Sequence, residues 1–589
     1  MTILLTHYLR AAEDLRGNDD QWRAYESTGS CVILAGPGSG KTKTITVKIA
    51  RLLTEDVQHP RRVACITFSN ACVGELQSRL TRLGVEDGRH LWLSTVHSFC
   101  LTELVVPYAA MAGIAIPDPL VVATPAQSRA FFNQAYKQVV GSPPSSLSAR
   151  TTCDRLRRTI PDRDSDGWRA WARRDTLVVE TYEALLFANG LIDFDGLVQI
   201  GLQIVENHDW VRKAVRAKYP VVVIDEYQDL GLPLHRIVLA IYRAGVRIVA
   251  VGDPDQSIYG FTGAQPGLLW ALAMLEGVET VKLKLNYRCA DNIIAASKAL
   301  LPAHGDFRSH DGRAGEIRIH RLECGVRQQA DYALGKLVPA MLHANPAWVP
   351  GDIALLYRSH HEGTSIAQAA DALGLRYFRL DNGSPIKRTR LTAWLIDVAR
   401  WCSGGWQTGQ LSLSQVLKTW RRLCRSLASA SAQLAARKRL IHTIFSLRDG
   451  AQPLHQWLTA LHDGVLAEML DHEPGLADEK DHFAELVEAC GIGKPLQEYT
   501  VDMFGNQGKS PDQVNLMTLH SAKGLEFQAV IMVGMEEGVF PSNFDKTPAQ
   551  LEAAARLFYV GVTRAKTQIH LTFAHNESPL ISAVRAAVG

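Results

Sequence analysis

Ten cysteines are spread over 589 residues without a single Cys-x-x-Cys pair. That absence argues against zinc or iron–sulfur ligation and against a disulfide framework. Reduced thiols packed in a core, in a cytosol, are the expectation. No uninterrupted apolar run approaches membrane-spanning length, so no membrane role is expected. Met1 to Asp20 mixes acids and bases without a signal-peptide pattern. Low-complexity tracts and fixed-period repeats are absent. Charge of one sign is also scarce: 63 basic against 60 acidic residues leave a net +3. Nucleic-acid binding must therefore be sought in local patches. What is present is an ordinary globular composition, 47% hydrophobic and 21% charged. The chain is too long for one core, and roughly three to five domains are expected.

The stretch Cys31-Val32-Ile33-Leu34-Ala35-Gly36-Pro37-Gly38-Ser39-Gly40-Lys41-Thr42 organises the rest. A β-prone run ends in a glycine-rich turn, followed by a helix-compatible segment from Thr44 to Leu53. Glycines let backbone N–H groups converge on phosphate oxygens, and the helix N-terminus adds a favourable dipole. Lys41 would reach the β- and γ-phosphates and the Thr42 hydroxyl would bind Mg²⁺. Ala35 stands where the motif usually has its first glycine. The pattern points to a nucleoside triphosphate.

Upstream, Gln21 precedes a helix-like segment from Trp22 to Ser27. Alone it is a surface turn; beside a phosphate loop, its amide could pair with an adenine edge. Downstream, Arg62–Asn70 and Leu91–Phe99 each read as a buried strand running into a polar turn. They place Phe68, Asn70, Thr95 and His97 where open α/β sheets bind ligands, although such positions are more often packing and turn chemistry. Between Cys100 and Asn189 the pattern is helical and basic, with Arg155, Arg157, Arg158, Arg163, Arg169, Arg173 and Arg174 around Trp168 and Trp171. That mixture suits a single-strand backbone or a solvated helix face. Tyr219–Asp229 is more specific: a β-branched strand drives into Asp225-Glu226. In a phosphate-loop ATPase Asp225 holds Mg²⁺ through water, and Glu226 orients and deprotonates the attacking water.

The strand and loop Val249–Ala264, with Asp253-Pro254-Asp255-Gln256-Ser257-Ile258-Tyr259-Gly260-Phe261, complete a set that resembles the superfamily 1A DNA helicases of the UvrD/Rep/PcrA type. The resemblance runs from Gln21 to Lys566. It implies that Gln256 senses the γ-phosphate and that Tyr259 and Phe261 meet nucleobases. Leu283–Arg288 is similar to the family's fourth motif, which implies Tyr287 stacked on adenine and Arg288 on the γ-phosphate from the opposite lobe. Ile353–Ser359 resembles the next strand, with Arg358 near DNA phosphate. In Val514–Phe527, Thr518 and His520 would face the strand, Gly524 would approach the nucleotide and Glu526 would bind the ribose. Leu557–Lys566 supplies Arg564 as the implied arginine finger. Thr262 departs from the usual arginine, Ala71 from a common lysine, and Ala553-Ala554 from a common acidic pair. These touch coupling or backbone contacts, not the hydrolytic residues.

The expected fold class is α/β: two RecA-like parallel-sheet lobes, each with a mainly helical insertion and with ATP between them. The expected divisions are 1–100 with 190–283 for the first lobe and 101–189 for its insertion. The second lobe takes 284–380 with 512–589, and its insertion 381–511. That second insertion is short for the family. Its bases Lys418, Arg421, Arg422, Arg425, Arg437, Lys438 and Arg439 would contact a duplex or form a solvated face. Little chain follows Lys566 for a partner-binding tail, and no fused nuclease is expected. The implied activity is an ATP-dependent DNA helicase and single-strand translocase moving 3′ to 5′, acting on single-stranded and tailed duplex DNA. The alternative is a DNA-sensing ATPase that licenses a separate nuclease partner in a bacterial defence complex.

Overall fold

The structure, a computed structural model, describes residues 2–85, 90–144, 147–301, 306–407, 411–423, 430–472, 476–507 and 511–588. Arg425 lies outside the described residues. Contacts divide the chain into two compact units: Met1–Glu316 with Phe544–Thr567 and Ser582–Gly589, and Ile317–Asn543 with Gln568–Ile581.

The body of the first unit is a six-stranded sheet. Its strands are β1 (Ser30–Ala35), β2 (Val63–Thr67), β3 (Leu91–Thr95), β4 (Val221–Ile224), β5 (Arg247–Gly252) and β6 (Val278–Leu283). They lie in the order β3-β2-β4-β5-β1-β6, and every neighbouring pair is parallel. The apolar runs are continuous because both faces are covered. Val32, Ala64, Val222, Ile224 and Ala250 enter one core, while Cys31, Ile33, Cys65, Val223 and Val249 enter the other. This period-two split places the polar residues after each strand at the carboxyl edge of the sheet, where such folds bind ligands.

Helix α1 (Asp19–Glu26) begins earlier than its apolar pattern indicates, because the Asn18 side chain caps the backbone N–H groups of Asp20 and Gln21. Helix α2 (Lys41–Arg51) also begins earlier, launched by Gly40 in a left-handed conformation, φ +81°. The two are bolted together by Lys48. Its buried ammonium donates to the carbonyls of Ala24 (2.7 Å), Tyr25 (3.2 Å) and Ser27 (2.8 Å) at the end of α1. Arg51 adds a bond to Tyr25 O and Arg247 one to Ser27 O. Three cations thus satisfy a helix C-terminus that carries the negative end of its dipole.

The first insertion contains α3 (Leu147–Thr159) and α4 (Arg173–Ala188), packed around Phe132, Leu156, Trp168, Val178 and Tyr182. Helix α5 (Phe194–Asn207) then returns to the sheet. The basic run here divides: Arg155, Arg169, Arg173 and Arg174 are exposed, whereas Arg157, Arg158 and Arg163 are drawn inward. Arg157 is wholly buried, paired with Glu183 at 2.7 Å and with both oxygens of Asp193 at 2.6 and 2.7 Å. Arg158 pairs with Asp195, and Arg163 lies 4.0 Å above the Trp168 ring. Acidic partners distant in sequence consume these charges.

A second six-stranded sheet consists of β7 (Glu316–Arg321), β8 (Ile353–Tyr357), β9 (Tyr377–Leu380), β10 (Val514–Thr518), β11 (Phe527–Met532) and β12 (Ala565–Phe573). Their order is β7-β12-β11-β8-β10-β9, with β8–β10, β8–β11 and β9–β10 parallel. The described residues between β9 and β10 include helices packed around Trp394, Leu440, Ile444 and Trp457.

Lys48→Met removes the ammonium from the α1–α2 junction while keeping an apolar stem. Leaving the Ala24 carbonyl unsatisfied is expected to cost about 2–3 kcal/mol, read by urea unfolding of the full chain. A loss below about 0.5 kcal/mol would show the clamp to be dispensable.

Candidate nucleotide site and nucleic-acid face

The loop after β1 folds back on itself, Ser39 Oγ donating to Gly36 O at 2.8 Å. Gly38 has φ +64°, and a Cβ there would lie 2.5 Å from Arg288 Cβ and 2.6 Å from Asn286 Oδ1. The Tyr287 N–H donates to Gly38 O at 2.9 Å. Glycine at 38 is therefore the condition for docking the 286–288 turn against the phosphate loop. Ala35 ends β1, buried, with Gly36, Pro37 and Gly40 completing the turn and Thr42 in the first turn of α2. Gln21 on α1 donates through Nε2 to Ser39 O at 2.8 Å, and Asn18 donates to the Tyr287 hydroxyl at 2.9 Å. Tyr287 is 41% exposed, its ring 4.5 Å from that of His310. His310 was not singled out from the sequence, where it sits in no motif.

The Lys41 ammonium is buried and makes no hydrogen bond; its nearest acid is Glu226 Oε1 at 3.8 Å. At the end of β4, burial and the neighbouring Glu226 carboxylate push Asp225 up to about 7, against the pull of Lys41. Glu226 has φ +54°, the one non-glycine positive φ among the described residues, a strained conformation of the sort that gathers at functional sites. Its carboxylate accepts from Gln228 Nε2, and Gln228 Oε1 accepts the Asp253 N–H at 3.1 Å. Sequence reading gave Gln228 no role.

From β5, Asp253 holds Gln256 Nε2 at 2.5 Å. Gln256 Oε1 in turn accepts from Arg564 Nη2 at 3.2 Å. Arg564 follows helix α6 (Pro548–Val562) and is 1% exposed. Burial first, and then the Arg288 guanidinium, draw its pKa down to about 10. Arg288 reaches the Thr563 carbonyl at 3.4 Å. Lys41, Asp225, Glu226, Gln256, Arg288 and Arg564 are thereby linked through one set of contacts within the first unit.

A buried lysine without a hydrogen bond, loop N–H groups at a helix start and guanidinium groups beyond them fit a polyphosphate. Among the described residues no three metal-ligating side chains cluster. Mg²⁺ does not need such a cage, because it is held by one or two carboxylates together with substrate phosphates and water. Thr42 and Asp225 fit that pattern.

A second face lies beside this one. Phe68 stacks on Tyr259, centroids 5.7 Å apart and planes 23° apart, and Tyr259 adjoins Phe261 at 6.3 Å. Phe261 is 53% exposed. His97 packs on Phe194 at 5.2 Å, and burial lowers its pKa below the usual histidine value. Thr95 caps the turn before His97, and Asn70 is exposed in the first turn of its helix. Phe194 escaped sequence reading because it follows Asp193 in an unremarkable helix start.

In the second unit, Tyr357 and Thr518 are cross-strand partners on β8 and β10. Arg358 follows directly, lies 5.6 Å over Phe540 and donates to Val539 O. Burial, and then Arg358 and Lys523, lower the His520 pKa. Gly524, φ +86°, and exposed Glu526 belong to the turn after β10. Lys41 and its linked residues belong to the other unit.

Two family models match the chain: the UvrD/REP helicase N-terminal domain over residues 17–274 and the UvrD-like helicase C-terminal domain over residues 465–576. The chain is 28% identical to "ATP-dependent DNA helicase Rep" of Escherichia coli (strain K12), covering 95% of this chain and 91% of that one. It is 24% identical to "ATP-dependent DNA helicase PcrA" of Staphylococcus epidermidis, covering 94% and 83%, and 27% identical to "DNA helicase II" of Salmonella typhimurium, covering 95% and 84%. With both terminal models in order, relatives matched over nearly the whole length and a phosphate loop facing Asp225-Glu226, the chain belongs to the UvrD/Rep/PcrA-type superfamily 1A helicases.

Proposed function

We propose that the chain is an ATP-dependent DNA helicase that translocates 3′ to 5′ along one strand. The observation that carries the reading is the buried Lys41 ammonium, opposite Glu226 and joined through the sensor loop to Arg564. The loop N–H groups and Lys41 hold the β- and γ-phosphates of ATP, and Gln21 and Tyr287 take the adenine; the family resemblance gives Gly524 and Glu526 the ribose. Thr42, and Asp225 through water, would hold Mg²⁺, which neutralises charge developing on the phosphate oxygens. Glu226, fixed by Gln228, takes the proton of the attacking water. Gln256 and Asp253 report the γ-phosphate to the loop, while Arg288 and Arg564 spread positive charge over it as it departs.

Phe68, Tyr259 and Phe261 supply stacking worth about 1–3 kcal/mol per base, which every base can satisfy. Asn70, Thr95, Arg358 and Thr518 address the backbone. His97 and His520, their pKa values lowered by burial, act as neutral hydrogen-bonding and packing groups. Strand affinity is therefore nearly sequence-blind, and salt weakens it through its phosphate contacts. ATP turnover alternates the grip of the two sets of strand contacts and so advances the strand. Single-stranded and 3′-tailed duplex DNA are the substrates. Among the described residues no helix is long and apolar enough to cross a membrane, and we place the work in a bacterial cytoplasm. The comparisons lend no support to the nuclease-licensing alternative; unwinding by the isolated chain is the result that separates the two.

Glu226→Gln is expected to lower DNA-stimulated ATP turnover by at least about 100-fold, with oligonucleotide affinity within about threefold of wild type. Lys41→Ala should behave alike. Undiminished hydrolysis in both would end the mechanism. Gly38→Ala tests the cradle from another side. A methyl group colliding with Arg288 should cut ATP turnover at least about tenfold, while the circular dichroism spectrum and strand binding persist.

A further inference from the structure

Helix α3 of the insertion ends on the loop that carries Gln256. Its last turn meets two glycines. A Cβ on Gly263, φ +98°, would lie 2.8 Å from Arg158 Cβ, and a Cβ on Gly231 would lie 3.1 Å from the Arg158 carbonyl oxygen. Backbone approach this close is achieved at positions without side chains. The Arg158 guanidinium then forks: Nη1 donates to Thr262 O at 3.1 Å and Nε to Asp195 Oδ1 at 2.7 Å. Asp195 opens α5 and is close enough to bear electrostatically on His97.

The helix end is rigidly held. Arg157, the preceding residue, is locked by Asp193 and Glu183, and its carbonyl accepts from Gln199 Nε2 at 2.8 Å. On the loop side, the Tyr259 carbonyl accepts from the Thr262 N–H at 2.9 Å and the Thr262 hydroxyl at 2.8 Å. Tyr259 itself stacks on Phe68. The outer end of the loop, held by Arg158, is thus tied to the aromatic face. Its inner end, Asp253–Gln256, is tied to Arg564. A cavity of about 70 Å³ bordered by Phe68, His97, Arg158, Asp195 and Thr262 lies beside the turn.

We propose that Arg158 is a positioning residue for coupling: it braces the 260–264 turn against the insertion, so that a strand pressing on Phe68, Tyr259 and Phe261 moves Gln256 instead of displacing the turn. Without the brace the loop yields locally and the nucleotide site is not informed. Arg158 contacts neither nucleotide nor strand in this scheme. The inference rests on the helicase reading above, and its test separates the two.

ATP turnover is measured with and without a single-stranded oligothymidylate for wild type, Arg158→Ala, Arg158→Lys and Asp195→Asn, alongside KM for ATP, oligonucleotide affinity and thermal midpoint. Arg158→Ala is expected to keep basal kcat and KM within about twofold while stimulation by the strand falls at least about tenfold. Asp195→Asn, which keeps volume but removes the ion pair, should move in the same direction. Arg158→Lys, a point charge that cannot fork, should retain part of the stimulation. Full stimulation in Arg158→Ala overturns the inference. So does a parallel fall of basal turnover, stimulation and thermal midpoint in both variants, because that marks a merely structural bond. A wild-type chain that hydrolyses ATP without responding to the strand overturns the helicase reading and the inference together.

Discussion

A buried ammonium facing buried carboxylates is the constraint from which this first unit is arranged. Lys41 sits 3.8 Å from Glu226 without a hydrogen bond, and Asp225 is pushed up to about 7. Burial on this scale is costly for either sign of charge and is tolerated where groups converge for a charged partner. The glycines at 38 and 40 allow the approach, and the parallel strands deliver the carboxylates to one edge of the sheet. Arg288 and Arg564 come from segments far apart in sequence, yet Arg288 reaches the Thr563 carbonyl while Arg564, the next residue, reaches the Gln256 side chain. The fold is the means by which these charges, individually unfavourable, are held ready for a triphosphate.

The parts of this arrangement legible in the sequence are those whose chemistry is local. A β-branched run ending in Asp225-Glu226, or a glycine turn ending in Lys41-Thr42, has its strand, its turn and its charge within a dozen residues. Boundaries were harder. Helices α1 and α2 start three residues before their apolar patterns because a side-chain cap and a left-handed glycine, not hydrophobic spacing, begin them. The basic stretch around Arg157 was ambiguous for a different reason. Whether an arginine is a strand contact or a structural ion pair depends on acids 26 and 36 residues away, and their approach is a property of packing. Lys48 was invisible on the same grounds: three backbone carbonyls are its partners, and carbonyls leave no trace in sequence.

The loop from Asp253 to Ala264 joins these two kinds of information. Its motif residues were readable, but their connections were not. Gln228 ties Glu226 to the first N–H of the loop, and Ser257 ties the loop back to the Gln228 carbonyl at 3.0 Å. Gln228 thus sits between Glu226 and the loop that carries Gln256. A movement of the loop by a few tenths of an ångström changes both at once, because neither hydrogen bond tolerates much loss of alignment.

That rigidity decides how a strand some distance from the phosphates can matter to hydrolysis. Coupling needs an element with two arrangements and a frame that does not move with it. In the inference drawn above the loop is the moving element, with its short turns, φ +98° at Gly263 and an exposed aromatic at Phe261. The frame is the ion-paired end of α3, where Arg157 is committed inward and Arg158 outward to Thr262. If the insertion were hung loosely on the sheet, strand contacts at Tyr259 and Phe261 would be absorbed by local bending. Because Arg157 is buried with two carboxylates, bending there would expose unpaired charge, and the cheaper response is a shift of the loop toward Gln256.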